Sequence, residues 1–335
     1  MNIIIPMAGM GKRMRPHTLI TPKPLLPIAG KPIVKRLVED ILSTVNVKIK
    51  TISFIIGPTF GKEVEEMLVA IADSFDAEGV ICYQKETLGT AHAILCAKEQ
   101  LEGPVFIAFA DTLFDAKFSI DTEKDAIIWT QKVADPSAYG VVQIDDNGRI
   151  IDFVEKPKEF VSDLAIIGVY YFKDGENLRK ELEYLVDNNI MEGGEYQITN
   201  AMENMRAKGL GFYTDQVDEW LDCGNKEVTV YTNQRILEFK KDVEVLQDPT
   251  SEVIDSVIIQ PVYIGPGVVI KNSIIGPHVS LEKNTRVTSS IIKNSIVQEE
   301  TQLENVNLEN SMIGTHINYV KQPEDLNLGS YSILG

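Results

Sequence analysis

The sequence predicts an α/β chain, a mostly parallel sheet flanked by helices, continued by a coil of very short strands. Two observations predict it. The first half alternates short β-branched runs with helical patterns, as strands do when both faces of a parallel sheet are covered. Beyond about residue 255, aliphatic residues recur every six positions. That period fits neither a helix nor one plain strand, and it fits a hexapeptide β-helix.

Taken in order, Asn2–Pro6 reads as a buried strand that runs straight into a Gly-rich, basic loop. No basic stretch and no long apolar run marks the N-terminus, so a first strand is expected there rather than a signal peptide. Ile33–Thr44 reads as a helix, Thr51–Ile56 as a strand and Lys62–Ala72 as a helix. Val80–Tyr83, Thr90–Lys98 and Val105–Phe109 continue the strand, helix, strand rhythm. Sheets of this kind bind ligands at the carboxyl ends of their strands. The polar, helical pattern of Tyr231–Leu246 reads as a connector.

In the last part, Ile258, Ile264 and Ile270 are evenly spaced, as are Ile275, Leu281 and Val287, and Ile291, Val297 and Leu303. Each is expected to point inward. Ile264-Gly265-Pro266 recurs as Ile275-Gly276-Pro277. At roughly 18 residues per three-sided turn, the segment supplies about three or four turns. With 335 residues, the chain exceeds one ordinary domain. The expected division is 1–235, a helical connector over 236–254, and a coil over 255–335.

The net charge of −17 argues against a nucleic-acid or anionic-membrane surface, which would repel it. No apolar run reaches the roughly 18 residues that span a bilayer. Cys82, Cys96 and Cys223 lack both a disulfide framework and metal-ligand spacing, as expected of reduced thiols in a cytoplasmic protein. A small anionic ligand is compatible with the charge if basic residues are concentrated locally.

They are concentrated between Met7 and Pro32. Ala8-Gly9-Met10-Gly11-Lys12-Arg13 follows the first strand, and Pro22-Lys23-Pro24 comes ten residues later. Small residues let the backbone approach a ligand and free its N–H groups for phosphate oxygens. Arg13 adds a planar fork suited to a polyphosphate, and the two prolines stiffen the chain around Lys23. A dinucleotide fingerprint is excluded, because Met14 stands where the third Gly belongs and prolines block an immediate helix. A P-loop is excluded too: Pro6 replaces its first Gly and Arg13 its Ser or Thr. A merely structural Gly-rich turn is the plain alternative.

This segment resembles the signature of the sugar-1-phosphate nucleotidyltransferase family, and the resemblance runs along most of the first 230 residues. It implies a Rossmann-like catalytic domain, here followed by a left-handed β-helix, that joins a nucleoside triphosphate to a sugar 1-phosphate with Mg²⁺. It implies nucleotide contacts from Ala8, Gly9, Met10, Gly11 and Lys12, with Gln84, Gly89 and Thr90 near the base. It implies Asp111 and Asp222 as metal ligands, and Arg13, Lys23 and Lys156 as the catalytic cations. Gly140, Glu155, Gly168 and Glu195 resemble the family's sugar contacts.

Several positions depart from the pattern. Ala8 and Ala110 replace Gly, Lys12 replaces a small Ser or Thr, and Asn200 stands where the family has Asp. Ile166 stands near the Asn of the N-acetyl-sugar enzymes, which weakens an N-acetylglucosamine phosphate assignment. The base, thymine or uracil, is left open, because one methyl group separates them.

Two other readings compete. An added acyl transfer in the coil would use His278 or His316, and a non-catalytic regulator would bind sugar nucleotides only. The coil itself is expected to serve homo-oligomerisation or effector binding, since exposed faces and ends invite self-association.

Overall fold

A computed structural model describes residues 1–9, 11–45, 47–115, 120–322, 324–331 and 333. Met10, expected at the nucleotide, lies outside the described residues. Contacts divide the chain into two compact units, residues 1–26 with 32–224, and residues 27–31 with 225–335.

The first unit is built on a mostly parallel α/β sheet. Its parallel part comprises β1 (Asn2–Pro6), β2 (Thr51–Ile56), β3 (Glu78–Tyr83) and β4 (Val105–Ala108), in the spatial order β3-β2-β1-β4. β1, β2 and β4 are buried at every position, which is why they read as unbroken apolar runs. Helices α1 (Ile33–Thr44), α2 (Lys62–Asp73) and α3 (Thr90–Leu95) connect them. α2 carries Glu63 and Glu65 in its first turn, where carboxylates complement the helix dipole.

After β4 the chain makes a short strand, β5 (Thr112–Asp115), and then extends the sheet. β6 (Ala126–Lys132), β7 (Gly140–Ile144), β8 (Ile150–Glu155) and β9 (Leu164–Phe172) follow. β9 lies antiparallel to β4, β6 and β7 and so joins the two parts of the sheet. α4 (Gly175–Asp187) starts at Asp174, whose carboxylate accepts from the Asn177 N–H, an ordinary cap. α5 (Ile198–Ala207) and β10 (Phe212–Gln216) come next, with β10 parallel to β6. β11 (Glu219–Asp222) leaves the main sheet and forms an antiparallel ribbon with β5.

α6 (Lys226–Lys240), capped by the Asn225 side chain on the Val228 N–H, clusters with the second unit. The helical pattern expected over Tyr231–Leu246 therefore begins earlier and ends at Lys240. Beyond α6, thirteen short strands among the described residues join three sheets in rotation, all parallel and holding five, four and four strands. These sheets fit a β-helix. Ile264, Ile270, Ile275, Leu281, Val287, Val297 and Leu303 point inward as expected, and Ile258 is partly buried against them.

Ile291 does not point inward. It is 48% exposed, and Ile292 (0%) fills the core beneath it, in register with Ile275. The cause is the length of a circuit. Val262 pairs with Val279, 17 residues on, and Val279 with Ser295, 16 residues on, rather than the expected 18. A six-residue count thus drifts, and a one-residue slip turns a strand side chain to the other face. Buried polar positions are satisfied between circuits: Ser273 Oγ accepts from the Ser290 N–H and Ser290 Oγ from the Val306 N–H.

Candidate active site

β1 ends at Pro6, and from there the backbone passes into the Gly-rich loop between the carboxyl ends of β2 and β4. The Met7 N–H donates to Ile55 O at 2.9 Å, and the Ala110 N–H donates to Pro6 O at 3.2 Å. These bonds place Asp111 beside the loop at the rim where such sheets bind ligands. A cleft of about 490 Å³ opens there, floored by Ala8, Gly9 and Gly11 and walled by Lys23, Gln84, Gly89 and Asp111.

Gly11 adopts φ +55°, and a Cβ on it would fall 2.9 Å from Lys23 Cβ and 3.1 Å from Thr18 Cγ2. Thr18 Oγ1 ties down the same residue by donating to Gly11 O at 2.8 Å. The short turn Lys12–Met14 follows, anchored by buried Met14, so that exposed Lys12 and Arg13 border the cleft. Lys23 is only 8% exposed, held in a turn between Pro22 and Pro24. Its ammonium meets Asp111 Oδ2 at 3.0 Å.

Asp222 reaches the same place through the β5–β11 ribbon. It pairs with Thr112, the residue after Asp111, and the Cys223 N–H donates to Asp111 O at 3.0 Å. Burial pushes its carboxyl above the usual range, and the Asp111 charge adds to that, while Lys23, Arg13 and the Gly224 N–H oppose it. A Cβ on Gly224 would lie 2.7 Å from Asp222 Oδ2 and 3.3 Å from Arg13 Nη2. Arg13, Lys23, Asp111 and Asp222, expected as one set, therefore share one small volume. Among the described residues, no group of three or more His, Cys, Asp or Glu side chains is arranged to hold a metal ion.

At the other end of the cleft, Gln84 is buried (7% exposed), and its backbone N–H donates to Ile56 O at the end of β2. Gly89 adopts φ +112°, and a Cβ there would come within 2.4 Å of Tyr196 O and 2.7 Å of Tyr196 N. Thr90 Oγ1 donates to Gln197 Oε1 and accepts from the Ile198 N–H. This stitches the start of α3 to the start of α5. Gly89→Ala should therefore displace the segment after Gln84 and lower the melting temperature, since both the contact and the φ oppose a side chain. An unchanged melting temperature would contradict that packing argument.

The expected sugar-side residues gather beside the cleft. Gly140 and Glu155 are partners across β7 and β8, and a Cβ on Gly140 would lie 3.0 Å from Glu155 Oε2. Gly168 sits at the irregular step of β9 with φ +81°, accepting from the Phe109 N–H. Burial pushes the hydroxyl pKa of Tyr170 up, and the charges of Glu155 and Asp111 push it further the same way. Glu195 borders the cleft and accepts from Gln197 Nε2 at 3.0 Å. Lys156 is 55% exposed, pairs with Glu155 at 3.4 Å and stands away from the cleft lining.

Three contributors were not singled out from sequence. Thr199, buried in α5, donates to Glu155 Oε2 at 3.1 Å. Tyr139 packs edge-on against Trp220 and feels Asp222. Gly224 leaves room between Asp222 and Arg13. Gly224, Thr199 and Tyr139 each lie within four residues of a position marked by resemblance, Asp222, Glu195 and Gly140 respectively, but their roles depend on contacts across the fold.

The profile of the nucleotidyl transferase family matches residues 2–238. A glucose-1-phosphate thymidylyltransferase of Streptomyces antibioticus is 29% identical over 87% of this chain and 85% of its own length. A bifunctional protein GlmU of Methanococcus maripaludis is 32% identical over 71% of this chain, which spans about half (54%) of that relative. Among solved structures, a UDP-glucose pyrophosphorylase complexed with UDP-glucose superposes with a TM-score of 0.58 at 23% identity. That match covers 71% of this chain and 98% of the other, and carries the fold.

Proposed function

The chain belongs to the nucleotidyl transferase family, and from that premise we propose that it joins a nucleoside triphosphate to a sugar 1-phosphate and releases pyrophosphate. The triphosphate is dTTP or UTP, and glucose 1-phosphate is the favoured acceptor. The observation that supports this most is the convergence of Lys23, Asp111, Asp222 and Arg13 at the carboxyl end of a parallel sheet, next to a glycine-lined loop.

In this reading the triphosphate lies over Gly9–Arg13, with its base toward Gln84 and Gly89. The sugar phosphate lies between Lys23 and Lys156. One of its oxygens attacks the α-phosphorus in line, the new P–O bond forming as the bond to pyrophosphate breaks. That nucleophile is already an anion near neutral pH, so no side chain need take a proton. The protein brings two anions together and offsets their charge. Arg13 would steady the departing pyrophosphate, Glu155 and Glu195 would accept from sugar hydroxyls, and Thr199 would hold the Glu155 carboxylate.

Asp111 and Asp222 would hold Mg²⁺. The fit is physical: two adjacent carboxylates, one half-buried and disfavoured as an anion by the other, suit a hard cation that completes its shell with phosphate oxygens and water. When bound, the ion supplies charge neutralisation at the phosphates.

Residues 1–235 would carry this chemistry, a division supported by the family match ending at residue 238. Residues 236–254 would link them to a left-handed hexapeptide β-helix over 255–335. We read that coil as the surface for homo-oligomerisation, since exposed Val257, Ile274 and Ile291 line up in register along one sheet. Sedimentation at the mass of one chain across a wide concentration range would overturn that part. Free thiols at Cys82, Cys96 and Cys223 accord with a cytoplasmic setting, and no helix among the described residues is long and apolar enough to cross a membrane. Of the two histidines an acyl transfer in the coil would use, His278 has its Nε2 2.7 Å from Glu238 Oε1.

The test is pyrophosphate release from a panel of triphosphates against several sugar 1-phosphates, with and without Mg²⁺. Release that requires dTTP or UTP, a sugar phosphate and the ion together is expected. No release from any combination would sink the proposal. In the same assay, Lys156→Ala should raise the KM for sugar phosphate while leaving the nucleotide KM nearly unchanged, and the reverse pattern would remove Lys156 from its role.

A further inference from the structure

His92, on α3 at the base end of the cleft, has no part in the chemistry described so far. Its Nδ1 lies 3.3 Å from Gln84 Nε2, and that amide nitrogen also lies 3.4 Å from Gly89 O. A carbonyl oxygen only accepts, so the NH₂ end of the Gln84 amide is the end that faces Gly89. The same NH₂ then meets an acceptor at His92, which requires a neutral ring with its proton on Nε2. Burial lowers the His92 pKa, outweighing the opposing effect of Glu86, and so keeps that neutral form at neutral pH.

The frame around this contact is rigid. Gly89 O also accepts from the Ala93 N–H at 3.0 Å within α3, and Gly89 is pressed against the Tyr196 backbone. Gln84, Gly89 and Thr90 all line the cleft. With both amide hydrogens directed into the protein, Gln84 offers a ligand only its Oε1, an acceptor. No hydrogen bond to that oxygen occurs among the described residues.

We propose that His92 is a positioning residue that locks the Gln84 amide oxygen toward the cleft, selecting a nucleotide whose base presents a ring N–H. The imide N3–H of uracil or thymine meets that requirement. The bare ring nitrogen of cytosine, an acceptor placed against an acceptor, does not. The inference rests on the reading that Gln84 faces the base of a nucleoside triphosphate.

The experiment measures UTP, dTTP and CTP binding to the full chain by titration calorimetry, for the native protein, His92→Leu and His92→Asn. Asn carries an amide oxygen close to where Nδ1 stands, whereas Leu keeps bulk without an acceptor. The native protein should prefer UTP and dTTP to CTP by about tenfold or more, His92→Leu should lose about tenfold of that ratio, and His92→Asn should restore most of it. In turnover, the change should fall on the nucleotide KM rather than on kcat. An unmoved ratio in His92→Leu, an equal loss in both variants, or a native protein indifferent to the base overturns the inference. Product formation with an unmoved ratio removes the His92 role alone. A ratio governed by His92 without product from any sugar phosphate removes the transfer reaction alone. A native protein that binds none of the three removes both.

Discussion

Asp111→Asn is expected to lower kcat by on the order of 10²–10³-fold while leaving the protein folded. The substitution keeps size and an acceptor for the Lys23 ammonium, which now stands 3.0 Å from Asp111 Oδ2, and removes only charge. The backbone at this position is held independently, by the Cys223 N–H on Asp111 O and by the neighbouring Ala110 N–H on Pro6 O. Asp222 should also ionise more easily, because the Asp111 charge is one of the causes that raise its pKa. Thermal melting should therefore not fall, while pyrophosphate release nearly vanishes and becomes insensitive to added Mg²⁺. A variant with native turnover would remove Asp111 from its proposed role in holding the ion. One that melts far lower would show a structural role instead.

Lys23→Met carries the second large effect, a loss of kcat again on the order of 10²–10³-fold, together with a shift in pH dependence. Met fills much of the Lys stem's volume in a site that is 8% exposed, so packing is largely kept. Lys23 and Arg13 are the two cations that hold the Asp222 pKa down against burial and Asp111. Removing Lys23 must raise that pKa further. If Asp222 holds the ion as proposed, its ionised form is the one required, so activity should be lost as pH falls through the pKa, and a higher pKa should move the acid limb of kcat/KM to higher pH. A profile displaced to lower pH, or not displaced, would show that Lys23 and Asp222 are not coupled as described.

Much of the site was legible because its parts are local. The loop from Ala8 to Arg13, the Pro22-Lys23-Pro24 turn and the strand-end Asp111 each sit within a few residues of the signal that marks them. The chemistry of the loop and of Lys23 was read from residue type and the strand before them, and that of Asp111 is what the resemblance implies. Lys156 was marked by resemblance; its exposed pairing with Glu155 depends on which way a strand-end side chain turns, which adjacency in sequence does not say. The inward residue of the coil at Ile292 was misjudged as Ile291 for a related reason. With two isoleucines in a row, only the circuit length decides which one faces the core.

By itself, the sequence marked the strand and helix order up to Phe109, the coil beyond residue 255 and the basic glycine-lined loop after β1, while the resemblance supplied the class of reaction. Periodicity and backbone restriction act over a few residues, so short windows carry them. Tertiary structure alone decided that Asp222 stands beside Asp111, through the ribbon of β5 and β11, that Thr199 holds Glu155, and that His92 orients Gln84. Those contacts depend on strand register and helix placement between distant segments. Register is set by which faces the whole domain can bury, a choice no local run of residues contains.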